Sequence, residues 1–138
     1  MSTSPHSDVV TEGIRIQAAG QYLPQESDPS VGRFVYAYKI TMTNIGQRKA
    51  RLVARHWIIV DSEGRREDVR GPGVVGEYPQ LAPRENYSYI SYCPLRTQWG
   101  TMEGSYTFER DCGARFQVHI GRFFLVQSAP PLSLESRA

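Results

Sequence analysis

Residues 70–77 read Arg-Gly-Pro-Gly-Val-Val-Gly-Glu, and residues 71–76 match the string G-x-G-x-x-G. In dinucleotide-binding enzymes that string holds a pyrophosphate, because a buried strand leads into it and a helix opens from it. Neither neighbour is present here. Residues 65–70 carry one apolar member, Val69, and Pro79 and Pro83 follow too closely for a helix to start. Pro72 also removes one amide donor from any phosphate cradle. The residues still allow a non-helical anion site. It would use the successive N–H groups of Gly71, Gly73, Val74 and Gly76, with Arg70 beside them and His56 brought near by the turn at residues 61–64. The competing reading is structural: glycines that permit tight backbone, and Val74 with Val75 plugging one end of the fold.

No other set of residues points to catalysis. Cys93 and Cys112 form no C-x-x-C pair or zinc spacing, and no neighbouring motif lowers a thiol pKa. The three histidines are scattered: His6 in the N-terminal tail, His56 on a strand, and His119 on a strand surface. Metal coordination would draw on His56, Asp61, Glu63, Glu67 and Asp68, but acids at a turn are common for turn reasons. No catalytic residue, metal site or cofactor is assigned. Arg55, Arg65, Arg66 and Arg70 form a small cationic patch that Glu67 and Asp68 dilute. Tyr36, Tyr38, Tyr87, Tyr89 and Tyr92 suit either a β core or a face for a protein partner.

The elements that must position these residues are strands. In residues 34–42, Phe34, Tyr36, Tyr38, Ile40 and Met42 alternate with Val35, Ala37, Lys39 and Thr41, a period of two. Residues 51–61 have an ambiguous phase. Leu52, Ala54, His56, Ile58 and Val60 share one face, and Val53, Arg55, Trp57, Ile59 and Asp61 the other. Apolar residues on both faces predict a central strand. Further strands are predicted at residues 14–17, 86–93, 102–109, 115–120 and 123–126, with a short polar one before the Gly-rich loop. Seven or eight strands, frequent turns and no amphipathic helix predict an all-β, immunoglobulin or fibronectin type III-like sandwich.

The 138 residues suit one domain, expected over residues 9–127, with tails at 1–8 and 128–138. A formal charge of +2 argues against nucleic acid as the main partner. No apolar run is long enough to span a membrane, and residues 1–8 lack a signal-peptide core, so a cytoplasmic location is expected. Exposed sheet edges would support a homodimer by strand pairing.

The ordered motifs resemble the bacterial ApaG family. They run Arg55-His56-Trp57-Ile58-Ile59-Val60-Asp61, Val69-Arg70-Gly71-Pro72-Gly73-Val74-Val75-Gly76, Pro79-Gln80-Leu81-Ala82-Pro83, and Gly100-Thr101-Met102-Glu103-Gly104-Ser105-Tyr106. The resemblance covers roughly residues 10–126. Three turn positions depart from the pattern: Arg84 stands where Gly is expected, and Trp99 and Gly121 where Pro is. The resemblance implies a fibronectin type III-like fold and a non-enzymatic module linked to cobalt and magnesium resistance or efflux through an unidentified protein partner. The alternative is a protein that takes phosphate, pyrophosphate or a nucleotide at the Gly71–Gly76 loop.

Overall fold

The structure, a computed structural model, describes residues 6–127. Nine strands follow one another: β1 Ser7–Thr11, β2 Ile14–Tyr22, β3 Phe34–Asn44, β4 Ala50–Asp61, β5 Arg66–Pro72, β6 Gln80–Leu81, β7 Asn86–Leu95, β8 Gly100–Glu109 and β9 Arg115–Leu125. They pair antiparallel in two sheets, one ordered β1-β2-β3-β7 and the other β5-β4-β8-β9, with β6 on β4 as well. The expected all-β sandwich is therefore the fold. β1 takes in Ser7 and Asp8, which the sequence reading assigned to a tail; Asp8 is held by Arg15 through two hydrogen bonds of 2.8 and 2.6 Å. The tail expected at residues 128–138 lies outside the described residues.

The period-two pattern of β3 fills the core as read. Tyr36, Ile40 and Met42 are fully buried against Ile14 and Ile16 from their own sheet and Leu52, Tyr106, Phe108, Phe123 and Leu125 from the facing one. On the opposite face of β3, Val35 and Ala37 join Leu23 in a small second cluster.

The ambiguous phase of β4 has a physical cause. Its register against β8 shifts between Leu52 and Ala54, so Val53 is a bulge residue. One extra residue exchanges the two faces of a strand. Leu52 therefore points into the core before the bulge, and Trp57 does so after it. A second shift lies between β8 and β9, where Met102 faces Phe123 but Gly104 faces Ile120. The sequence reading split β9 at this point into two strands; it is one continuous strand with a bulge.

The two long sides of the sandwich differ. On one, β9 packs against β1 and β2, where Ser7 Oγ donates to the Gly121 carbonyl at 2.7 Å. On the other, the edge strands β5 and β7 stand apart and leave a cleft.

Candidate functional site

The Gly-rich loop is a corner where β4 changes partners. β5 pairs with β4 from Val60 down to Ala54, and Gly71 and Pro72 are its last two residues. The chain then turns and pairs with the start of β4 as β6. Val74 and Glu77 exchange backbone hydrogen bonds of 2.9 and 2.8 Å around Val75 and Gly76. Both central residues have positive φ, 42° and 81°, which makes this a type I′ turn. The amide of Gly73 donates to Val53 at the bulge. The amides of Gly73, Val74 and Glu77 are thus engaged in backbone pairing, and an anion would find only the tip amides of Val75 and Gly76. Val74 is completely buried and closes the end of the core, whereas Val75 is 52% exposed. The sequence reading gave both valines the plugging role; only Val74 has it.

Arg55 is placed differently from expectation. The bulge at Val53 turns it away from Arg65, Arg66 and Arg70, onto the inner face with Trp57. There its Nη1 donates to the carbonyls of Pro72 and Gly73 at 2.8 and 3.0 Å and holds the corner shut. The loop therefore presents carbonyls to a cation on that side. The missed signal was the double phase of residues 51–61, which is what a bulge produces.

His56 and Arg70 do come together, as neighbours across β4 and β5. Both face the outer surface and meet Asp68. His56 Nε2 donates to Asp68 Oδ2 at 2.7 Å, and Arg66 grips both carboxylate oxygens at 2.7 and 3.0 Å. Arg70 stands 3.9 Å away. The hydrogen bonds from Arg66 and then His56 hold the Asp68 carboxyl well below the usual carboxylate range. Ser105 lies opposite His56 on β8. This sets Ser, His and Asp in a row across three strands, but no hydrogen bond joins Ser105 Oγ to His56 among the described residues. The nucleophile-to-base contact that such a row needs is missing.

One of several concavities is the side cleft, with a volume of about 280 Å3. Tyr38, Arg55, Trp57, Val69, Ser91 and Cys93 line it, with Glu67 at one end. Trp57 is held by edge-on contacts with Tyr38, Tyr106 and Phe123 at 5.3–6.2 Å between ring centres. Its Nε1 is the only buried side-chain nitrogen or oxygen among the described residues without a hydrogen-bond partner. Burial pushes the Cys93 thiol up to about 12, which keeps it protonated and unreactive.

The ApaG domain family matches residues 24–110, a span that holds β3 to β8 with the Gly corner, the Asp68 cluster and the cleft. The chain belongs to the ApaG family. An ApaG protein of Anaeromyxobacter dehalogenans is 46% identical over 120 residues, covering 87% of this chain and 94% of the relative. One from Bdellovibrio bacteriovorus is 45% identical over 121 residues, covering 88% and 93%. Among solved structures, a putative ApaA protein from Bordetella pertussis superposes with a TM-score of 0.79 at 41% identity, covering 92% of this chain and 98% of that one. The C-terminal domain of wzt shares the fold at a TM-score of 0.53 and 10% identity. These ApaG relatives carry a family name and no enzyme name. Among the described residues of this ApaG-family chain, no helix is long and apolar enough to cross a membrane.

Proposed function

We infer that this chain is a non-enzymatic binding module of the cytoplasm, acting in divalent-cation homeostasis by engaging a protein partner. The observation that carries the reading is β7. Its ten residues form one open edge of a sheet and include no charged side chain. Sheet edges that are not meant to pair are blunted by charge or proline, as β5 is by Arg66, Asp68 and Arg70 on its outer face; β7 carries only Pro94, next to its last residue. Tyr92, in the middle of the β7 edge, is 62% exposed. An exposed tyrosine on an uncharged edge has the form of an interface anchor. The role in cobalt and magnesium resistance or efflux comes from the family resemblance.

The test is a pull-down from cell extract, repeated with Arg70→Ala and Tyr92→Ser. One enriched protein should survive Arg70→Ala and be lost with Tyr92→Ser, and a strain carrying Tyr92→Ser should share the cobalt sensitivity of a deletion strain. Equal recovery by wild type and Tyr92→Ser, or wild-type cobalt tolerance of the deletion strain, would sink this reading.

A further inference from the structure

The rim of the side cleft carries a row of side chains with a definite order. The guanidinium of Arg55 lies over β5 at Gly71, where a Cβ would stand 2.9 Å from Nη2 and would push the side chain aside. The inward positions of β5 therefore read, in sequence, the Arg55 cation over Gly71, then Val69, then the Glu67 carboxylate. These positions are two residues apart, roughly 6.6 Å per step and about 13 Å in all along the strand. Neither Arg55 nor Glu67 makes an ion pair with any described residue. Between them lies the floor of the cleft, Trp57, with its unsatisfied N–H.

β7 stands across the cleft and runs the same length. Its C-terminal residues Pro94 and Leu95 line one concavity with Glu67, so the strand runs toward the anionic end. An added strand prefers the antiparallel sense, which pairs slightly better per residue. It would therefore enter at the Glu67 end and leave at the Arg55 end.

We propose that the cleft takes an extended segment of a protein partner, laid antiparallel on β7 as a fifth strand, with the pattern basic–x–apolar–x–acidic. This rests on the reading of β7 as the partner edge and names what that partner must carry. The basic residue meets Glu67, the apolar residue packs on Val69 over Trp57, and the acidic residue meets Arg55. The cleft volume of about 280 Å3 falls just below the usual range for small-molecule sites, which favours a side chain laid in from an extended segment. A second copy of this chain paired through its own β7 is a poorer occupant, because β7 has no charge to offer either Arg55 or Glu67.

The test uses the 15N-labelled full chain and the synthetic peptide acetyl-Thr-Lys-Thr-Val-Thr-Glu-Thr-amide. The two indole N–H signals are assigned with Trp99→Phe. The Trp57 indole and the amides of residues 89–93 and Leu95 should shift and saturate. A peptide with its Lys and Glu exchanged should bind about tenfold more weakly, the effect of turning two partly exposed ion pairs from attraction to repulsion. Glu67→Lys, a change at an exposed site, should transfer the preference to a peptide with Glu at both positions. Equal binding of the two charge orders, or shifts that avoid Trp57 and β7, would overturn the proposal. Silent peptides alongside a Tyr92-dependent partner would overturn the pattern and leave the partner-module reading standing. Peptide binding at β7 without any Tyr92-dependent partner would support the pattern and overturn the role given to Tyr92.

Discussion

Val74→Ala and Val75→Asn should move stability in opposite directions, although the two valines are neighbours in one turn. Val74 has no exposed surface and closes the core where β4 changes partners. Truncation to alanine removes two carbons, about 0.8 kcal/mol each in transfer free energy. The cavity left behind raises the expected loss to about 2–3 kcal/mol. Val75 is half exposed and holds φ at 42°, a left-handed conformation that costs an L-residue roughly 1–2 kcal/mol and suits a β-branched one least. Asn followed by Gly is the favoured pair for a type I′ turn. Val75→Asn in front of Gly76 should therefore gain about 1 kcal/mol. In a domain of this size 1 kcal/mol corresponds to about 3–5 °C in Tm. Urea unfolding followed by tryptophan fluorescence measures both changes, with the m-value expected to stay constant. A Val74→Ala variant within about 0.5 kcal/mol of wild type, against the 2–3 expected from burial, would refute the plug. A destabilised Val75→Asn would refute the assignment of the turn.

Arg84 holds φ at 73° where the family pattern has glycine, so Arg84→Gly should gain about 1 kcal/mol by the same relief, read from the same urea midpoint. Gly104→Ala should prevent folding or cost more than about 4 kcal/mol, because its Cβ would fall within 2.0 Å of the His56 carbonyl oxygen, which is backbone and cannot yield; soluble expression and thermal melting check this. Cys112 is exposed, and the Ala114 amide with Arg48 lowers its thiol pKa, so it should alkylate with iodoacetamide long before buried Cys93, as mass spectrometry would show. The Asp68 carboxyl is depressed in the folded state, so its contribution is present above its unfolded value near 4 and lost as pH falls through the lower folded value. The wild type's advantage over Asp68→Asn should shrink progressively as the pH drops below about 4; an advantage that does not shrink between pH 4 and pH 2 would count against the cluster.

Much of the fold is legible in local pattern. The alternation from Phe34 to Met42 can only bury one face of a strand, and it does. The prolines after Gly76 and the polar strand before Gly71 rule out the helix that a nucleotide fingerprint requires, and a hairpin corner stands there. The ordered motifs from Arg55 to Tyr106 place the chain in its family. All these depend on residues within a few positions of each other, where sterics and hydrogen bonding leave few choices.

The candidate site is a different matter. Sequence alone groups Arg55 with Arg65, Arg66 and Arg70 in one cationic patch and makes Glu67 a charge that dilutes it. Both instead face the cleft, because Val53 is a bulge residue and because β5 takes its register from β4. A bulge is set by the competition between two strands for hydrogen bonds, so only the partner strand reveals which residue is extra. Which valine of the pair fills the core likewise depends on the turn that Glu77 closes. The sequence by itself determined that this chain is a β-sandwich with a glycine corner. Tertiary structure alone decided that β5 and β7 stand open and that Arg55, Val69 and Glu67 line up between them. That row joins residues through sheet pairing and inter-sheet packing, which no local spacing encodes.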